Sequence, residues 1–292
     1  MSSCFKQKQS LILKKILTKK AKNEKPFIHQ IEVKSEQRPP ANAAVKRGSN
    51  ESERCEEAKH ETSERRSKLA RVCDQKLKES QFRAINEYLY THSSDESSHY
   101  LNEALFDVYH EAYASVVNKW PIKPIDVIVD AIESHSPHSR KRLIIADMGC
   151  GKMPLLKLHF NQATVYSFDL IAAHEHVIQA NITSVPLQDC ICDFVVFCLS
   201  LMGTNVNDYL VEGNRILKLN GRLLIAEVVS RFEDVDKFAK SLKSFGFSAP
   251  KVQFLPPNKY FVVFDCAKKT DVKDLKANLP EITLKPCHYK AR

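Results

Sequence analysis

Leu143-Ile-Ile-Ala-Asp-Met-Gly-Cys-Gly151 sets two glycines directly after an apolar run, in a chain of 292 residues that holds only seven glycines. A buried parallel strand that runs into a tight glycine turn before a helix is how α/β sheets bring backbone N–H groups onto a cofactor. Eighteen residues past Gly151, a second apolar run, Thr164 to Phe168, ends on Asp169. An acidic group at that distance, at the end of the second strand, suits hydrogen bonding to ribose hydroxyls, so the pair points to a nucleoside-containing ligand.

The dinucleotide fingerprint needs a third glycine where this chain has Pro154, which argues against NAD and FAD. Asp147, two residues before the first glycine, would repel a diphosphate and welcome an α-amino group. S-adenosylmethionine satisfies both conditions, the alternative being a strand-turn-helix corner with no ligand.

The charge is unevenly spread. Residues 1 to 80 hold 20 Lys or Arg against 11 Asp or Glu, and the rest of the chain balances, so the net charge of +9 sits in this stretch. Phe5 and Phe27 are its only aromatics, and with so little apolar surface to offset ordering entropy it reads as a disordered basic arm. Such an arm suits polyanions through counterion release, or serves as a nuclear-import signal or a solvated tail. Lys14 and Lys15 interrupt Leu11 to Leu17, which excludes a secretory h-region or membrane span there. The excess of Lys over Arg, with acidic residues from Glu24, argues against a mitochondrial presequence. Nine cysteines, none in a C-x-x-C pair, read as reduced intracellular thiols and argue against a zinc site.

From Gln81 the texture becomes globular. Phe82, Ile85 and Leu89 have helical spacing; Leu101, Leu105, Val108, Ala112 and Val116 mark one face of a second helix, ended by Trp120-Pro121; and Ile125, Ile128, Val129 and Ile132 describe a third. The spacing predicts further strands at Thr164 to Asp169, Phe194 to Leu199 and Arg222 to Val228. A capping box at Ser230 and Glu233 opens a helix that Gly246 stops. Lys251 to Leu255 and Lys259 to Cys266, around Pro256-Pro257-Asn258, read as an antiparallel hairpin. The expected fold is α/β, a mostly parallel Rossmann-like sheet of class I methyltransferase type closed by that hairpin. The expected divisions are an arm over 1–80, a helical lead-in over 81–140, a cofactor-binding core over 141–268 and a tail over 269–292.

The run VVFCLSLMGTN, Val195 to Asn205, followed by AEVVSRFEDV, Ala226 to Val235, closely resembles the nucleomethylin family, also called ribosomal RNA-processing protein eight. FRAINEYLYT from Phe82, Tyr109-His110, Lys119-Trp120-Pro121, ADMGCG, SFDL and VPLQD occur in the same order, so the resemblance covers residue 81 to the end. It implies an S-adenosylmethionine-dependent enzyme that methylates N1 of an adenine in large-subunit ribosomal RNA, in the nucleolus of the nucleus, with the pre-ribosome as partner. It also implies a second role, as a cofactor-binding member of a chromatin silencing complex on ribosomal DNA.

Carried over by position, the cofactor contacts are His110, Gly149, Asp169 on the ribose, Asn181 and Ile182 near the adenine, and Cys198, with Gly151 giving close backbone approach. His110 shares a stripe with Phe106, Tyr113 and Val117 and could instead be a packing residue; Cys198 could be a small buried hydrophobe. No catalytic residue is assigned, because adenine N1 carries a free lone pair; Ser200, Met202 and Thr204 are expected on the acceptor side. The family usually has Asp where this chain has Asn181, and the loop Lys152-Met153-Pro154 and the turn Leu219-Asn220-Gly221 also depart from its pattern.

Overall fold

The computed structural model describes residues 50–136, 142–274 and 279–287. The chain divides into the units Met1–Lys59 and His60–Arg292, and the fold below is that of the second. Helix α1, Asn50–Thr91, enters it and is followed by α2 (Ser94–Tyr100), α3 (Glu103–Val117) and α4 (Pro124–His135). Then come β1 (Ile144–Met148), the short α5 (Leu155–His159), β2 (Thr164–Asp169), β3 (Val177–Gln179), β4 (Cys192–Cys198), α6 (Val206–Ile216), β5 (Leu217–Val228), α7 (Val235–Ser241), β6 (Lys251–Phe254) and β7 (Phe261–Ala267).

The strands form one sheet in the order β3-β2-β1-β4-β5-β7-β6. β1, β2, β3, β4 and β5 pair in parallel, and β7 joins β5 and β6 antiparallel. The expected sheet and hairpin are thus both present. The alternation of side chains shows why it is buried on both faces. Ala146, Val195, Phe197, Leu223, Ile225 and Phe264 pack into the layer that holds α6 and α7. Their neighbours Ile145, Phe194, Val196, Leu224, Ala226 and Val263 pack against Ile128 and Ile132 of α4 on the other side. Successive strand residues point to opposite faces, so strands covered on both sides read as unbroken apolar runs.

The lead-in helices follow local rules. Asn102 caps α3, accepting the Leu105 N–H at 3.0 Å, and Pro124 opens α4. Ser93 and Glu96 form a capping box at α2, a short helix the periodicity did not announce.

Two expectations need correction. The boundary of the arm at residue 80 is too late, since helix begins at Asn50. Its described side chains before Phe82 are exposed apart from a half-buried Glu79, so this part shows no apolar stripe; strong helix formers such as Lys, Arg, Glu, Gln and Leu hold it as an extension of the anchored turns at Phe82, Ile85 and Leu89. The remainder of the expected arm, 1–49, lies outside the described residues. The Ser230–Glu233 capping box does not form. Ser230 lies in a 3₁₀ turn because Val229 is tied to the Tyr260 carbonyl at 2.9 Å and Arg231 is drawn into the core; Asp234 caps α7, accepting N–H bonds from Asp236 and Lys237. The sequence leaves open whether the tail packs on the domain; over 279–287 it does. Ile282, Leu284 and Cys287 are buried there, and Asn86 donates to the Cys287 carbonyl at 2.8 Å.

Candidate functional site

The sheet order reverses between β1 and β4, and α/β proteins bind ligands beyond the strand ends at such a switch point. A cavity of about 530 Å³ opens there. All seven residues expected at the cofactor line it: His110, Gly149, Gly151, Asp169, Asn181, Ile182 and Cys198.

The turn after β1 is held more tightly than its sequence suggests. Gly149 and Cys150 both donate their N–H to the Phe168 carbonyl, at 2.8 and 3.0 Å, and the Gly151 N–H donates to Asp169 Oδ2 at 2.8 Å. These three N–H groups are therefore engaged by the end of β2 rather than turned to a ligand, which corrects the expected use of the glycine turn. α5 behind it has only five residues and no side-chain cap. What the glycines supply is room. At φ of +81° and +72° both sit in the left-handed region. A Cβ on Gly149 would stand 2.5 Å from the Ser200 Cβ, and one on Gly151 would stand 2.8 Å from the His110 ring.

Besides the exposed Glu111, two carboxylates desolvated by burial face the cavity. Asp147 is buried, and burial, with the nearby charge of Asp169, pushes its pKa up to about 7. Burial likewise raises Asp169 to about 6, against the opposing pull of backbone N–H groups from Gly151, Leu170 and Ile171. Its two oxygens accept from Gly151 and Leu170 at 2.8 Å each, and a carboxylate with both oxygens so held keeps further lone pairs for hydroxyl donors. Paired acidic groups in a desolvated pocket favour a cationic ligand.

Apart from Glu111, Lys123 and Lys152, the rest of the lining is apolar or neutral. His110, packed on Phe106 at 4.2 Å between ring centroids, is lowered to about 4 by burial and then by Lys152, so it is uncharged at neutral pH. Burial raises the Cys198 thiol well above its ordinary range, which makes it a small wall rather than a nucleophile. Asn181 turns its side-chain oxygen back to the Thr183 N–H at 3.2 Å. Ser200 and Met202 reach the cavity, but Thr204 does not line it; its N–H is bonded to the His92 carbonyl at 3.2 Å.

Sequence reading missed an aromatic wall and a buried ion pair. Tyr109, Tyr113 and Trp120 line the cavity, although their spacing reads as packing. Arg231 and Glu227, both fully buried, meet at 2.7 Å, and Arg231 also lies over the Tyr90 ring at 4.5 Å. The Leu201 N–H donates to Glu227 Oε1 at 3.2 Å, and the Leu201 carbonyl accepts from Arg231 at 2.6 Å. The pair thereby clamps the loop from Leu199 to Gly203, whose end residues hold φ of +58° and +101° and which carries Ser200 and Met202. Both ionic residues lie within the AEVVSRFEDV motif, but nothing in their spacing marks them as buried.

The model of a family described as hypothetical methyltransferase matches residues 68–292. The chain is 40% identical to the 25S rRNA (adenine(645)-N(1))-methyltransferase of Schizosaccharomyces pombe, over 74% of this chain and 70% of that protein. It is 39% identical to ribosomal RNA-processing protein 8 of Dictyostelium discoideum, over 77% of this chain and 60% of that one, and 37% identical to the protein of the same name in Arabidopsis thaliana, over 75% and 76%. The chain thus spans between 60% and 76% of the length of these relatives. The family match, residues 68–292, takes in the glycine turn, both carboxylates and the Arg231 clamp together, and with relatives at 37–40% identity the chain belongs to the ribosomal RNA-processing protein 8 family of methyltransferases.

Proposed function

We propose that this chain uses S-adenosylmethionine to methylate N1 of an adenine in large-subunit ribosomal RNA, in the nucleolus, during ribosome assembly. The observation that carries the reading is the cavity itself, in which two desolvated carboxylates and two sterically required glycines face a neutral aromatic wall. The names of the relatives support the choice of substrate.

The residues fit this cofactor. Asp147 suits its α-amino group, Asp169 its ribose hydroxyls, and Asn181 with Ile182 its adenine. Neutral His110 and protonated Cys198 add no positive charge beside a sulfonium. When bound, the cofactor supplies an electrophilic methyl group.

The protein's part is positioning. Adenine N1 has an in-plane lone pair and no proton, so no general base is needed, and alignment of acceptor with donor carries the rate. The clamped Leu199–Gly203 loop holds Ser200 and Met202 on the acceptor side, and the Tyr109 hydroxyl lies 3.8 Å from the Met202 sulfur. The methylated base is cationic, and the negative field of Asp147 and Asp169 favours that charge as it develops. Because N1 takes part in Watson–Crick pairing, the target must be unpaired or extruded.

The test is transfer of labelled methyl to unmodified large-subunit RNA, read by mass spectrometry as 1-methyladenosine. Asp169→Ala should abolish it, and absence of incorporation by the unaltered chain on any ribosomal RNA would refute the proposal. One observation favours a second reading, a cofactor-binding adaptor in a silencing complex on ribosomal DNA chromatin: Asn181 is uncharged and its oxygen already serves Thr183, which weakens the hold on the cofactor adenine. That reading requires cofactor binding and partner recruitment without turnover.

A further inference from the structure

A second cavity, of about 610 Å³, lies between α1, α3 and the β6–β7 turn, and it shares Trp120 and Glu111 with the first as a common wall. Lys78, Arg83 and Lys119 line it, all exposed, against Glu79 and Glu111. The stretch of α1 leading into it, 68–83, adds exposed Lys68, Arg71 and Lys76, so five basic residues stand against two acidic ones there. Neither Arg83 nor Lys119 forms a side-chain hydrogen bond or ion pair with another described residue. Between these charges are partly open ring surfaces, Trp120 and Tyr260, with Asn258 and Ser115 offering polar contacts.

We infer that this groove holds the unpaired RNA strand next to the target adenine and feeds the target past Trp120 into the cofactor cavity. The inference rests on the RNA methyltransferase reading above and adds the path of the substrate. The chemistry is that of a single-strand site: cationic side chains track phosphates while aromatic faces stack bases without demanding a sequence. The requirement that adenine N1 be unpaired calls for a single strand beside the cofactor cavity, which is where this groove lies. A protein partner with an acidic segment would use the charges but would gain nothing from the junction with the cofactor site.

Trp120 is the chain's sole tryptophan, and it stands at that junction. A short single-stranded oligoribonucleotide containing one adenine should quench its fluorescence, and the same sequence as a duplex should not. The double variant Arg83→Glu/Lys119→Glu should bind the oligonucleotide at least tenfold more weakly at low salt. Its slope of log affinity against log salt should fall by about 1.4, since each of two single-strand phosphates neutralised contributes about 0.7. Cofactor binding by calorimetry should remain as in the unaltered chain, because neither residue lines the first cavity. Should the reversal variant lose cofactor binding through misfolding, Arg83→Gln/Lys119→Gln decides, with a smaller loss in the same direction. Unchanged affinity and slope in a variant that still binds cofactor would overturn the groove, even where the unaltered chain methylates ribosomal RNA. Quenching of Trp120 by polyglutamate but not by RNA would overturn it in favour of an acidic partner. A chain that binds cofactor yet neither binds nor methylates RNA would overturn the broader reading and this inference together.

Discussion

Asp147, one residue before the end of β1, and Asp169, at the end of the adjacent parallel β2, lie close in a desolvated pocket, which couples cofactor binding to pH. Asp147 holds its proton up to about pH 7 in the free protein. A cation that pairs with the carboxylate stabilises the ionised form, so binding below that pH must expel the proton. Affinity for S-adenosylmethionine should therefore rise as pH climbs from 5.5 towards about 7 and level off above it, with proton release seen as a buffer-dependent heat in calorimetry. Asp147→Asn should remove the part of that slope above about pH 6, leaving below it the part that belongs to Asp169. Asn181 gives a prediction of opposite sign: a charged acceptor makes the stronger hydrogen bond to an adenine amino group, so Asn181→Asp should tighten the cofactor several-fold, about 1 kcal/mol, in the same titration. At this scale the sequence was highly legible. Glycines 149 and 151 and Asp169 announce themselves because few other residue types tolerate a left-handed turn or end an apolar strand on a charge. Tyr109, Tyr113 and Trp120 do not, because an aromatic that faces a ligand and one that faces the core have the same helical spacing.

Elements were legible where local and tertiary preferences agree, and misread where they compete. β2 and the β6–β7 hairpin follow from apolar runs and turn residues, whereas β3, three residues long, has too little pattern to be seen. Ser230 and Glu233 have good capping spacing, yet the chain there obeys the Arg231–Glu227 ion pair instead. That pair lies at the junction of β5, the acceptor-side loop, α1 through Tyr90 and the tail through the bond from Arg231 to the Lys285 carbonyl at 3.2 Å. Removing one partner of a buried pair leaves an uncompensated charge, and Arg231→Met should cost roughly 3–5 kcal/mol. Thermal unfolding checks the magnitude. Combining it with Glu227→Gln should recover part of the stability, because no bare carboxylate then remains buried. Methyl transfer should stay low in both variants if the Leu199–Gly203 loop needs the clamp to hold its left-handed ends; full activity in the stabilised double variant would show that the loop holds itself.

The whole molecule separates charge from chemistry. Residues 1–49 hold 12 Lys or Arg and three Glu, so they carry the entire net charge of +9, and 50–292 is electrically balanced. The helix that begins at Asn50 is what sharpens this division, since the composition of residues 50–80 is polar enough to look like the arm yet balanced in charge. Binding to a polyanion through counterion release scales with the number of phosphates neutralised, so the arm should supply the sequence-independent affinity and the cavity the chemistry. Removal of residues 1–49 should leave S-adenosylmethionine binding unchanged, because the lining of the cofactor cavity begins at Leu89. It should weaken binding to ribosomal RNA and flatten its salt dependence, by about 0.7 in the log–log slope for each single-strand phosphate the arm had neutralised. The two effects must appear together: weaker binding with an unchanged slope would mean that the arm acts by shape rather than by charge. Unchanged affinity would place the electrostatic grip on the described domain, where α1 and Lys119 supply basic surface beside the site.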